Sequence, residues 1–121
     1  MSLNLQRIDW MPSPPLVPDD APLDLAHLDR MTFGDDALQR EVLALFAAQS
    51  AVLMPRLVAH SDDAADLAHT IKGSAKAIGA HGVSEAAEAF EVSPDDRETL
   101  RDLQTAVAAV CAAIDLRLQR C

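Results

Sequence analysis

Tyrosine is absent from the 121 residues, and only three phenylalanines and one tryptophan are present. A core of this chain must therefore be built from aliphatic side chains. Runs of alternating Val, Ile and Thr are missing too, which removes the usual mark of strands. No stretch reads as long and apolar enough to span a membrane. Met1–Trp10 lacks a basic segment followed by an apolar one, so it does not read as a secretion signal. Basic residues are few: Lys and Arg total 10 against 19 Asp and Glu, a formal net charge of −9. That balance argues against a nucleic-acid surface, which needs cations against phosphates. It also disfavours an anionic membrane surface. The two cysteines, Cys111 and Cys121, would lie roughly 15 Å apart on one helix, too far for a mutual disulfide. Free thiols without a secretion signal point to a reducing cytoplasm.

What is abundant is Ala and Leu, both strong helix formers. The chain is expected to be all-α: an antiparallel four-helix bundle with a short additional N-terminal helix. Residues 1–22 carry five of the seven prolines, so this leader is expected to be extended or disordered. Residues 23–121 form the bundle. Asp24 caps a helix over Leu25–Met31 that ends near Gly34. A second helix starts at Asp35 or Asp36 and runs toward His60, with Leu38, Val42, Leu45, Phe46 and Leu53 on one face. Gln49 falls in that stripe, as a bundle-edge residue or a hydrogen bonder near the site. Pro55 should kink or interrupt this helix. Ser61 is expected to cap a third helix ending at Gly79. A fourth covers His81–Val92. Ser93, with Pro94 at the first helical position, is expected to start the last. Leu100, Leu103, Val107, Val110, Cys111, Ile114 and Leu118 form its stripe.

The third helix carries the chemistry. At about 100° per residue, Ala64, Leu67, Ala68, Ile71, Ala75 and Ile78 share the core face. His69 lies roughly 160° from its centre, facing outward. Its neighbours at helical spacing are Ala65, Asp66, Lys72, Gly73 and Lys76. An imidazole with an ordinary pKa near 6.5 is a good nucleophile at neutral pH. Lysines beside it can stabilise the charge of a transferring phosphoryl group. Gly73 sacrifices about 1 kcal/mol of helix stability relative to Ala and leaves open space one turn away. Singly, a helical His is usually a surface residue and a lysine pair a solvated face. Together they make a bare nucleophile on a low, charged surface.

Ala68-His69-Thr70-Ile71-Lys72-Gly73-Ser74-Ala75, followed by Ile78-Gly79-Ala80, resembles the signature of histidine phosphotransfer (HPt) domains. Phe90-Glu91 looks like the apolar-Glu pair found about a dozen residues after it. Ile71 stands where Leu is usual, a conservative change. The similarity in layout extends from about Leu23 to Leu118. The resemblance implies a phosphorelay carrier that accepts a phosphoryl group on His69 from the phosphoaspartate of a receiver domain and passes it to another receiver aspartate. Lys72 would stabilise charge and Gly73 would allow access. Ala65, Asp66 and Lys76 would belong to the docking face. The chain would need no cofactor of its own, the Mg²⁺ being the receiver's, and would be a cytoplasmic monomer. No Gly-rich ATP-binding motif is present, so it is not expected to be a kinase.

Competing readings are a receiver-docking module without phosphotransfer and the phosphoacceptor fragment of a chemotaxis-type kinase. The dimerisation helix of a sensor kinase would place Glu or Asp after the histidine, where Thr70 stands. A metal-binding bundle would need inward Glu-x-x-His pairs, and His27, His60, His69 and His81 lack that spacing.

Overall fold

A computed structural model of the chain describes residues 21–119. The expected leader falls almost wholly outside them, as do Trp10, Val17 and Cys121. Five helices follow one another: α1 (Leu25–Met31), α2 (Asp36–Val58), α3 (Ala64–Ile78), α4 (His81–Val92) and α5 (Arg97–Leu118). No strand occurs among the described residues. Helices α2 to α5 close a bundle in which each packs on its chain neighbour and α5 returns to α2. The bundle is antiparallel. The guanidinium of Arg40, near the start of α2, donates to the carbonyl of Leu118 at the end of α5 (2.8 Å). Its centre holds one aromatic ring, Phe90, among the aliphatic Leu43, Leu57, Ile71, Leu103, Ile114, Val83 and Val110, all fully buried.

The starts of α1, α2 and α5 follow from local chemistry. Asp24 accepts from the His27 amide (3.0 Å), Asp35 from the Leu38 amide (3.1 Å) and Asp96 from the Glu98 amide (2.8 Å). Each carboxylate satisfies an amide that the first turn leaves without a partner.

Two starts differ from expectation. Helix α3 begins at Ala64 with Asp63, not Ser61, at the cap position. The Ser61 carbonyl accepts from the Ala64 amide, and its hydroxyl donates to Asp63 Oδ1 (2.7 Å) and the Arg56 carbonyl. Helix α5 begins at Arg97, not at Pro94. Pro94 instead sits second in a turn closed from the Asp96 amide to the Ser93 carbonyl (3.1 Å). Its fixed φ suits that position as well as a first helical turn, and Asp96 is the cap used.

Helix α2 is rotated from the expected stripe. Gln39, Leu43, Phe46, Ser50 and Leu57 are buried, whereas Leu45 is 62% exposed. Residues Val42 to Pro55 carry no charge, so no polar face marks the outside. Gln39 helps to fix the rotation. Its amide donates to Asp29 (3.1 Å) and its carbonyl accepts from Arg117 (2.9 Å), tying α1, α2 and α5 together. Pro55 does not interrupt the helix, which continues to Val58. Pro55 and Ala51, whose carbonyl loses its intrahelical donor there, both face solvent. Contrary to expectation, α2 is long and apolar enough, by length and composition, to cross a membrane. Its inner face nevertheless supplies part of the bundle core. Gln49 lies at the bundle edge, in a groove with Val42, Leu45, Ser74 and Ala77 between α2 and α3.

Gly79 ends α3 with φ 79°, a left-handed conformation, and brings α1 onto the α3–α4 turn. The Asp24 amide donates to the Gly79 carbonyl (2.9 Å), and His27 Nε2 donates to the Lys76 carbonyl (2.9 Å). His81 Nε2 meets Asp24 Oδ2 at 3.0 Å. The bond from the His27 amide, and then His81, hold the Asp24 carboxyl below its ordinary range. A Cβ at position 79 would lie 2.9 Å from the Asp24 carbonyl oxygen. Gly79→Ala is therefore expected to destabilise the fold by more than the roughly 1–2 kcal/mol of a left-handed residue alone. Urea unfolding checks this, and amide exchange should show α1 opening first.

Candidate functional site

Helix α3 meets its sequence-based expectation closely. Ala64, Leu67, Ala68, Ile71, Ala75 and Ile78 are all buried. This amphipathicity fixes the roll of the helix and turns His69 outward, with 72% of its side chain exposed. Ala65, Asp66, Gly73 and Lys76 are exposed on the same outer side. A Cβ added at Gly73 would meet nothing within 4 Å. Packing within the chain therefore does not require glycine there. Gly73→Ala is expected to raise the melting temperature by about 5 °C, from about 1 kcal/mol of helix propensity. If Gly73 has the access role that the resemblance implies, the same variant should slow phosphoryl transfer from a receiver, because the added methyl stands on the exposed side of α3 beside His69. Calorimetry and a transfer time course read the two opposite effects; faster or unchanged transfer would refute the access role.

Lys72 does not stand free on the outer face. Its side chain is only 16% exposed, and Nζ lies 3.1 Å and 3.2 Å from the two carboxylate oxygens of Glu91. Glu91, near the end of α4, also holds His69. Its Oε2 is 3.2 Å from His69 Nδ1. Burial by itself pushes the Glu91 carboxyl up. The hydrogen bonds and charges of Lys72 and His69 outweigh that, and the net result lies below the ordinary 4.5. An ionised carboxylate only accepts hydrogen bonds, so Nδ1 must carry the proton. The neutral ring then has its lone pair on Nε2, the nitrogen not engaged by Glu91.

Sequence reasoning singled out His69, Lys72 and Gly73 but gave Glu91 no part in the site. The signal was present, as the apolar-Glu pair: Phe90 is fully buried, and the next residue on α4 turns toward α3. What the residue touches was not legible, because 22 positions separate it from His69. No group of metal-binding side chains occurs among the described residues.

The arrangement is an exposed, oriented imidazole beside a half-buried Lys–Glu pair, on a helix whose back is locked into a bundle. Comparisons with known proteins agree with it. A family model described as the Hpt domain matches residues 37–113. Comparison with curated proteins gives no match. Among solved structures, the histidine phosphotransferase ShpA from Caulobacter crescentus is similar. It shares 32% identity, with a TM-score of 0.73, over 82% of this chain and 92% of that one. With the family model spanning more than half of the sequence and the signature histidine exposed on its helix, the chain belongs to the Hpt family of histidine phosphotransfer carriers.

Proposed function

We propose that His69 Nε2 receives a phosphoryl group from the phosphoaspartate of one receiver domain and passes it to the aspartate of another. The observation that carries this reading is the pairing of His69 Nδ1 with Glu91, which leaves Nε2 as the free nucleophile. In the forward step the Nε2 lone pair attacks phosphorus, and a P–N bond forms. The P–O bond to the receiver carboxylate breaks, and its electron pair leaves with that carboxylate. The Nδ1 proton stays in place, so the ring becomes cationic as the bond forms. Glu91 stands against that developing charge, where a fixed opposite charge favours the transition state. Lys72 holds the Glu91 carboxylate in position and adds positive charge one turn from the histidine. The second transfer reverses these events toward another receiver.

Ala65, Asp66 and Lys76 form the docking rim around His69, and Gly73 lets the receiver's loops come close. The receiver supplies Mg²⁺ and most of the catalytic groups; the chain contributes the nucleophile and its orientation, without kinase activity of its own. The compartment is the cytoplasm, where receivers act. The test mixes purified protein with a radiolabelled phospho-receiver. Acid-labile, base-stable label on the chain, followed by its loss to a second receiver, is the expected result. Binding without transfer from any receiver of the organism would instead identify a docking module.

A further inference from the structure

The start of α1 and the end of α5 leave a groove of about 270 Å³ open to solvent. Ala21, Pro22 and Leu25 form one wall, and Ala113, Leu116 and Arg117 form the other. Leu25 is 51% exposed and Leu116 64%. A single exposed leucine needs no explanation, but here two large aliphatic side chains share one groove. No described residue of α3 or α4, which carry His69 and Glu91, lines it. The groove therefore lies apart from the phosphotransfer site.

The chain that leads into the groove points to its occupant. Ala21 and Pro22 belong to the wall, and Leu23 beyond them is buried in the core. The Asp24 amide is fixed to the Gly79 carbonyl (2.9 Å). The twenty residues that precede Ala21 therefore start from the groove itself. Their last stretch reads Pro14-Pro15-Leu16-Val17-Pro18-Asp19-Asp20. Leu16 and Val17 are aliphatic, as the groove requires. Val17 is four residues from Ala21, a span of at most about 14 Å. Pro14, Pro15 and Pro18 restrict the undocked chain, so seating it costs less ordering entropy. Asp19 and Asp20 fall on the way to a groove flanked by Arg117, a favourable pairing of charge. Arg117 donates to Gln39 (2.9 Å), and its guanidinium has five donors in all. A short tether also holds the segment at an effective concentration on the order of mM, so a small contact suffices.

We propose that residues 14–20 fold back on the domain, with Leu16 and Val17 seated over Leu25 and Leu116 and the two aspartates beside Arg117. The occupant of the groove is this chain's own N-terminal segment. Along this stretch the leader is extended against the bundle, the first of the two conformations expected from its prolines. Helix α1 is already held at its start, through Asp24 to Gly79 and His81. The segment covers its outer side and links it to α5. The proposal is independent of the phosphotransfer reading, and either can fail alone.

Methyl NMR of the full chain reads the contact directly. Nuclear Overhauser effects are expected from the methyls of Leu16 and Val17 to those of Leu25 and Leu116, unchanged on dilution from about 1 mM to about 50 µM because the contact is intramolecular. Leu16→Asp together with Val17→Asp should remove them and speed amide exchange in α1 about fivefold, with the helical circular dichroism unchanged. Leu116→Asp alone should give a similar acceleration, and adding it to the leader pair should change little more, since all three act on one contact. Absence of the Overhauser effects in the wild type would overturn the proposal. So would effects that fade on dilution or cross between labelled and unlabelled copies, which would put a second chain in the groove. Exchange in α1 unmoved by the leader pair would refute it as well. If the segment makes no contact and Leu116→Asp weakens receiver binding instead, the groove belongs to the receiver and the proposal is refuted.

Discussion

His69→Gln is expected to abolish labelling by a phospho-receiver, lowering transfer by more than about 10³-fold, to background. Glutamine keeps the size and polarity of the side chain but has no lone-pair nitrogen of comparable nucleophilicity. Because 72% of the His69 side chain is exposed and the core face of α3 lies opposite, the variant should fold with unchanged stability. Loss of transfer then reports chemistry, not unfolding. Receiver binding should persist, since the docking rim proposed around His69 is left intact. His27, His60 and His81 are spectators in this assay. His81 is engaged with Asp24 and His60 with Asp95, and His27 with the Lys76 carbonyl. Label persisting on the variant would identify the wrong acceptor.

Glu91→Gln should slow transfer about 2- to 30-fold without eliminating it. A charge-assisted hydrogen bond contributes about 1.5–3 kcal/mol against about 1 kcal/mol for a neutral one, and each 1.4 kcal/mol in a barrier is tenfold in rate. The amide can still accept from Nδ1, but it brings no charge to oppose the cationic ring and leaves the half-buried Lys72 without its carboxylate. The tautomer of His69 gives a readout that simple destabilisation would not move. Nitrogen NMR should show Nδ1–H dominant in the wild type and a mixture in the variant. Lys72→Met should cost less, and the two substitutions together should cost less than the sum of their separate effects, because they act on one pair. A tautomer balance and a rate both unchanged in Glu91→Gln would remove Glu91 from the mechanism.

The sign of the pH dependence follows from the same geometry. The folded-state pKa of Glu91 is depressed. Its stabilising contribution is therefore complete above the ordinary carboxylate range and is lost only as pH falls through the lower folded value. Between pH 5 and 8 the wild-type transfer profile should show no limb from Glu91.

Much of this site was legible along one helix. Six apolar positions at helical spacing in α3 fixed which side is buried, and that alone turned His69 outward and placed Gly73 and Lys76 beside it. Such inference works because a regular helix makes angular position a function of residue number. The same arithmetic was less informative in α2, where an uncharged run of fourteen residues leaves no contrast between inside and outside. Its rotation is coupled to contacts such as those of Gln39 with α1 and α5, which sequence spacing does not contain. The starts of α3 and α5 were displaced for a related reason. Ser93 is a competent cap, but Asp96 accepts from the Glu98 amide in its place, and at α3 the Ser61 hydroxyl is turned to Asp63 and the Arg56 carbonyl, so the start depends on how the connecting turn closes.

The sequence by itself determined the helical class, the outward histidine and the family signature, because each depends on periodicity or on residues adjacent in the chain. Only the tertiary structure decided where Lys72 points, that Glu91 reaches His69, and that α1 is fastened through Asp24 to Gly79 and His81. Those are meetings between helices. Their geometry depends on how aliphatic side chains interlock in the core, a property of the packed bundle and not of any one segment.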